Sequence, residues 1–416
     1  MFNFWGNTEL KTRFELPFNW SRRYLSFLLE NSDRIYSVYG SLPNTATGRP
    51  IPHSIDVDGD RLSTNSLDKI VSELKAQDID FNLVMNMSCT GNIHTTSEGR
   101  KGLEKQVKDA YQMGVTQVTV ANYTLARRIS RIEPNIGLIM SVILNITNPE
   151  QVLYTLKQDF NFKGFVVGKG INRNLPELGN LVSMSKKANL DAIVIANDFC
   201  PSANCPERIS DHNNSCAHKH LPFPKEELGE QTYIPPSIYC RLMTLKQPSH
   251  FLKAPIINPN DLHFYESIGV ELFKLSDRVM PDDLLIGICD AYFSGNYDGN
   301  LFDLFSYTSM LNKGRTSKRK LTKEEMKAII DHGYESILEN RKHFVMTPYA
   351  DAKALAEGLF IRPFVRGECK GDCYDERFSP MGCKHCNTYF DRFVSYDKNE
   401  ADAVRHNIRL LIETGG

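Results

Sequence analysis

Between residues 35 and 292 eight short apolar runs alternate with stretches of helical spacing, except that the sixth run is followed by a cysteine-rich excursion. The runs are Ile35 to Gly40, Phe81 to Asn86, Gln117 to Ala121, Gly137 to Leu144, Gly164 to Gly168, Ala192 to Ala196, Lys253 to Ile257 and Val270 to Leu275. Each is short enough for a strand and rich in residues that suit a buried one. Helices are predicted between them at Leu67 to Gln77, Glu98 to Met113, Leu125 to Ile132, from Asn148-Pro149-Glu150 onward, Leu175 to Ala188, Asp261 to Ile268 and Pro281 to Tyr292. Asn148 is placed as a cap and Pro149 as a first-turn residue, where helix starts favour them. A count that stops at eight predicts a TIM-type (β/α)8 barrel. An open doubly wound α/β sheet fits the same alternation.

The chain has 416 residues, so the barrel needs company. The reading assigns residues 1–34 to an N-terminal segment and 35–299 to a catalytic barrel domain. Residues 200–250 form a cysteine-rich insertion after the sixth strand, and 300–416 form a C-terminal extension. A charged helix is expected from Leu321 to Phe344, capped by Thr322, and a last one near Glu400 to Leu411. Hydrophobic content of 41%, charged content of 24% and no apolar run near the roughly 18 residues of a membrane span indicate a globular chain. Met1 to Lys11 lacks the charged-then-apolar pattern of a secretory signal, so the expected compartment is the reducing cytoplasm. A net charge of -1 gives no whole-molecule grip on nucleic acid.

Ten cysteines in such a compartment point to metal before disulfides. Eight form two groups. Cys200, Cys205, Cys216 and Cys240 follow the sixth predicted strand with spacing C-x4-C-x10-C-x23-C. Thiolates are soft ligands, and four in one excursion suit an iron–sulfur cluster or a zinc ion. The uneven spacing favours a cluster wrapped by loops over paired zinc knuckles. His212, His218 and His220 lie in the same excursion. Cys369, Cys373, Cys383 and Cys386 form the second group, C-x3-C-x9-C-x2-C, which suits a second cluster or zinc. Cys89 and Cys289 read as buried thiols.

In such a barrel the strand C-termini carry the site. Tyr39, Ser41, Asn86, Ser88, Asn122, Tyr123, Asn145, Lys169, Asn197, Asp198, Asn258, Ser276 and Asp277 fall there, and His94 lies in the loop after the second strand. Singly, each is an ordinary cap or turn residue; together they suit a polar substrate. Asn197, Asp198 and His94 are the catalytic candidates. Tyr39, Asn86, Asn122 and Lys169 are candidates for binding substrate. The basic run Lys318-Arg319-Lys320 reads as a solvated linker. There is no Walker loop, no G-x-G-x-x-G and no C-x3-C-x2-C triplet near the start of the barrel.

Three segments carry a resemblance: Ser37-Val38-Tyr39-Gly40-Ser41-Leu42-Pro43, Asn197 to Arg208 with its Cys-Pro-x-Arg, and Phe273-Lys274-Leu275-Ser276-Asp277-Arg278. Over roughly residues 35 to 290 the chain resembles the collagenase-like peptidase superfamily, which includes oxygen-independent ubiquinone and RNA hydroxylation proteins. The resemblance implies a 4Fe-4S cluster on Cys200, Cys205, Cys216 and Cys240, an eighth-strand basic motif at Lys274 and Arg278 that recognises an anion, and hydroxylation or related chemistry. Peptidase-type hydrolysis and a non-catalytic cluster-carrying subunit are the alternatives. An electron-donor protein and a hetero- or homo-oligomer are the partners such chemistry implies. The chain departs from the family around its first cysteine, with Ala196-Asn197-Asp198-Phe199-Cys200 in place of His-Gly-Ala-Met-Cys.

Overall fold

A computed structural model describes residues 11–42, 61–90, 94–200, 236–276, 280–305, 317–332, 336–337, 339–346, 348–369 and 384–415. In it eight parallel strands pair in chain order and the eighth returns to the first. They are β1 (Arg13–Pro17), β2 (Ile35–Gly40), β3 (Asp80–Met85), β4 (Gln117–Val120), β5 (Gly137–Met140), β6 (Phe162–Val166), β7 (Asp191–Ile195) and β8 (Leu272–Lys274). At the closing seam Arg13 faces Leu272 and Glu15 faces Lys274. The closed barrel is the one the alternation predicts, and the open sheet is excluded.

Two strands differ from the expectation. Arg13–Pro17, assigned to the N-terminal segment, is the first staple of the barrel. Lys253 to Ile257 is not a strand. Pro255 has no N–H to give a central ladder, and only Ile257 reaches across, donating its N–H to the Ala196 carbonyl at 2.9 Å. The cysteine-rich insertion therefore follows the seventh strand and joins β7 to β8.

Around the barrel lie α1 (Arg22–Glu30), α2 (Leu67–Lys75), α3 (Ser97–Gln112), α4 (Tyr123–Ile132), α5 (Pro149–Leu156), α6 (Leu175–Lys187), α7 (Pro236–Lys246), α8 (His250–Lys253), α9 (Leu262–Ser267) and α10 (Asp282–Ser294). Asn148 forms a reciprocal capping box with Gln151 at the start of α5, with Pro149 in the first turn. The extension carries α11 (Lys323–Asp331), a short antiparallel pair β9 (Tyr349–Ala350) and β10 (Val394–Ser395), α12 (Ala352–Glu357), α13 (Arg362–Val365), α14 (His385–Phe393) and α15 (Lys398–Gly415). The helix predicted from Leu321 to Phe344 stops at Asp331, and a separate 3-10 turn covers Arg341–His343. The extension packs on helices before β8 and on the barrel: α15 against α7, α14 against α8 and α13 against α6.

Alternation along each strand divides the apolar side chains in two. Phe14, Val38, Phe81, Val118, Met140, Phe165 and Phe273 face outward into the continuous core under the helices. Ile139, Val166, Ile193, Ile195 and Leu272 form a separate cluster in the lumen. The lumen is thus apolar toward β5 to β7 and polar toward β1 to β4, where Glu15, Ser37, Asn82 and Thr119 are buried. Its N-terminal end is closed by Tyr36, whose hydroxyl donates to Asp191 Oδ2 at 2.6 Å, and by Gln117, which donates to Asp80 Oδ2 at 2.9 Å.

Gly164 allows β6 to approach β7. A Cβ built there would lie 2.4 Å from the Asp191 carbonyl oxygen, a backbone atom that no side-chain movement relieves. Gly164→Ala is expected to cost about 2 to 3 kcal/mol, measured as a lowered urea midpoint with an unchanged slope. Among the described residues no helix is long and apolar enough to cross a membrane.

Candidate functional site

The C-terminal ends of β6, β7 and β8 bring together a set of polar groups. The chain leaving β6 makes a buried 3-10 turn, Lys169–Ile171. The chain leaving β7 runs Ala196, Asn197, Asp198, Phe199, Cys200. Lys169, 4% exposed, forms an ion pair with half-buried Asp198. Asp198 is the more open partner, so the pair presents its carboxylate to the mouth.

Asn197 is fully buried and fully engaged. Its Oδ1 accepts from the Ser276 N–H at 2.6 Å and the Ser276 hydroxyl at 3.1 Å, and its Nδ2 donates to the Leu304 carbonyl at 3.1 Å. It braces the loops after β7 and β8 and aims Asp198, so the structure makes it a positioning group. Phe199 then packs on Phe251 of α8, with centroids 5.4 Å apart, and this contact fixes the direction in which the chain reaches Cys200.

Beneath the mouth lies a network that the sequence reading did not assemble. Lys274 Nζ is 2.5 Å from Glu15 Oε2 and 3.4 Å from the Tyr39 ring centroid. Asn82 donates to Glu15 Oε1 at 2.6 Å and accepts from the Thr119 hydroxyl at 2.9 Å. The Tyr39 hydroxyl donates to the Leu275 carbonyl at 3.0 Å. Lys274, expected to recognise an anion from outside, is already held by a carboxylate on its own barrel seam. Glu15, Asn82 and Thr119 had a readable signal: with Arg13, Asp80 and Gln117 they are the polar residues at alternate positions of strands whose other residues are apolar.

The remaining candidates are spread around the rim. Asn86 is half-buried at the end of β3. Asn122 caps α4, accepting from the Thr124 and Leu125 N–H groups, and donates to the Ser88 carbonyl at 3.3 Å. His94 Nδ1 is 2.5 Å from the Thr90 hydroxyl. Arg278 lies outside the described residues.

Of the first cysteine group, Cys200 is half-buried at the β7 exit and Cys240 is half-buried on α7. Cys205 and Cys216 lie outside the described residues, as do Cys373 and Cys383 of the second group. Cys369 and Cys386 are both buried where the extension meets the barrel. Among the described residues no three His, Cys, Asp or Glu side chains converge as a metal-ligand group. The soft thiol donors of the first group are of the kind a cluster takes, and Cys200 leaves the C-terminal end of β7. Cys289 is buried as expected, its thiol pushed up to about 12 by burial; Cys89, expected buried, is exposed.

A small, mostly apolar cavity lies between barrel loops and the C-terminal extension. It has a water-accessible volume of about 10 Å3, room for one water, and is lined by Arg173, Asn258, Asp261, Tyr265, Phe360 and Phe364 among others. Burial alone pushes the Asp261 carboxyl up to about 7.

Comparison with known proteins adds three findings. Residues 54–197 match the family model described as peptidase family U32. An uncharacterized protease of Methanocaldococcus jannaschii is 26% identical over 249 residues, which span 57% of this chain and 67% of the relative. Among solved structures, a U32 peptidase aligns over 67% of this chain and 97% of its own, at 15% identity and a TM-score of 0.44. A GH113 beta-1,4-mannanase aligns over 69% of this chain and 93% of its own, at 12% identity and a TM-score of 0.32.

Proposed function

We propose that this chain, whose residues 54–197 match the peptidase family U32 model, is an iron–sulfur-dependent enzyme that hydroxylates or otherwise modifies a polar or ring-bearing substrate without molecular oxygen. One observation supports this reading most: Cys200 leaves β7 two residues after Asp198, whose ion pair with Lys169 sits at the barrel mouth. Cys200, Cys205, Cys216 and Cys240 would hold the cluster. When bound, it supplies one-electron transfer and a Lewis-acidic iron. The chain's own residues bind and orient. Asp198 accepts a hydrogen bond or a proton from a substrate hydroxyl or ring N–H, and Lys169 holds that carboxylate in place through their ion pair. Lys274, Glu15 and Tyr39 close the floor beneath and exclude water from it. Hydroxylation without molecular oxygen removes two electrons from the substrate, so water supplies the oxygen and an electron-acceptor protein takes the electrons; the electron-donor protein expected from the sequence belongs to a reductive modification at the same site, and the cytoplasmic setting to the same proposal.

Asp198→Asn and Lys169→Met then leave metal content at the parental level and abolish the effect of added substrate on the reduced protein's EPR spectrum. Variants that lose the metal, or that still respond to substrate, reject this assignment of roles.

A second reading follows the peptidase designation of the relatives, and the Thr90–His94 contact favours it, because a hydroxyl beside an imidazole is the start of a nucleophile–base pair. On that reading metal-free protein cleaves a peptide library and His94→Ala stops the cleavage. On the first reading metal-free protein cleaves nothing.

A further inference from the structure

Arg173 is the least expected charge in the molecule. It is 3% exposed. Its Nη2 donates to the carbonyl oxygens of Leu252, at 2.5 Å, and Ala254. Its guanidinium lies over the Phe364 ring, 4.8 Å from the centroid, with Phe360 at 5.7 Å. Its Nη1 points at Cys386 Sγ, 3.8 Å away. Its Nε has no hydrogen-bond partner among the described residues. No carboxylate pairs with it among those residues either; Asp261 lines the same cavity without forming an ion pair.

A guanidinium buried under these terms is costly unless a negative group faces it. Carbonyl dipoles satisfy two of its N–H directions, and the Nη1 donor aimed at the Cys386 sulfur calls for negative charge on that side. Sulfur is what the chain provides there. Cys386 is buried on α14, its Sγ 3.8 Å from the Leu252 carbonyl that Arg173 also binds. Cys369 is buried just beyond α13, its N–H bonded to the Pro363 carbonyl at 3.1 Å, next to the Phe364 that covers the guanidinium. Neutral thiols would leave the positive charge unbalanced. Metal-bound thiolates balance it, since a thiolate centre of zinc or of iron and sulfide carries excess negative charge and accepts N–H hydrogen bonds at its sulfurs.

We infer that Cys369 and Cys386 ligate a thiophilic metal centre seated against Arg173, and that this centre clasps the C-terminal extension to the barrel. The placement explains why an arginine on the barrel loop before α6 is met by Cys386, 213 positions further along the chain. The clasp extends the cofactor reading to a second site but does not depend on the first: Cys200 is outside it.

The test uses the full chain purified anaerobically, with zinc, iron and acid-labile sulfide counted on the parent and on Cys386→Ser, Arg173→Met and Cys200→Ser. Cys386→Ser is expected to lose one centre's metal, and Cys200→Ser to keep it. Arg173→Met should keep the metal but release it to a chelator about ten times faster or more, the usual effect of removing a donor to a ligand. Zinc in the lost fraction identifies a zinc clasp; iron with sulfide identifies a cluster. Chelation of the parent provides a readout that needs no variant to fold: it should lower the melting temperature and open the extension to protease. Equal metal in the parent and Cys386→Ser, or a parent whose melting is indifferent to chelation, overturns the clasp. Loss of metal from Cys200→Ser alone overturns it while leaving the barrel-mouth cluster standing.

Discussion

Asp261→Asn should make the protein more stable at and above neutral pH, by about 4 kcal/mol, and leave it unchanged near pH 4. Asp261 ends a 3-10 turn, Pro259–Asp261, between the insertion and α9, and is buried. Its carboxyl is pushed from an ordinary 3.8 up to about 7, with burial the cause. The sign follows from linkage. Below about pH 4 both folded and unfolded chains hold the proton. Between there and about 7 the unfolded chain ionises and the folded one resists, so stability falls as pH rises. Above 7 both are charged and the penalty is constant. Asparagine keeps the shape and cannot charge, so the difference between variant and parent should grow across that window and then level off. Urea unfolding at a series of pH values measures it. A difference that is flat with pH, or that grows toward acid, contradicts the burial argument.

Glu15→Gln should cost about 3 to 5 kcal/mol, because it leaves the Lys274 ammonium in the lumen without its carboxylate. The substitution keeps the side-chain volume and an acceptor for Asn82, so the loss reports the charge. Glu15 is fully buried and Lys274 nearly so, and the two residues face each other across the β1–β8 seam. Lys274→Met alone should cost a similar amount by stranding the carboxylate. The double substitution should cost much less than the sum, since neither charge then remains. Denaturation of all four proteins closes the cycle. Singles below about 1 kcal/mol that simply add would show that the pair contributes little to closing the barrel.

The same seam shows how far the sequence carries. The alternation was sufficient for a closed eight-stranded barrel, because parallel strands buried on both faces are short and apolar and leave little else to fit. It missed the first strand and supplied a false seventh. Arg13–Pro17 was hidden because its inward residues, Arg13 and Glu15, are charged and only Phe14 and Leu16 report burial. Lys253 to Ile257 looked like a strand because its apolar residues are buried, yet Pro255 removes the ladder. Side-chain partners were harder still. Lys274 was named from its motif, but its carboxylate stands 259 positions away and no local pattern links them. Asn197 looked like a reacting group because of where it falls; only its three tight contacts reveal a brace. Arg173 carried no motif at all, and its role emerges from what the extension folds over it. Cys200 was the most legible, since a residue just past a barrel strand has little choice about which end it occupies.

The central claim is that the cysteines between β7 and β8 hold an iron–sulfur cluster at the mouth of this barrel. Mössbauer spectra with iron and sulfide counts, on anaerobically purified parent and Cys200→Ser, test it most directly. The account predicts a cluster signal with matched iron and sulfide in the parent that is lost in Cys200→Ser. A parent that stays free of iron after anaerobic reconstitution, or a Cys200→Ser protein with the parental spectrum, would contradict it.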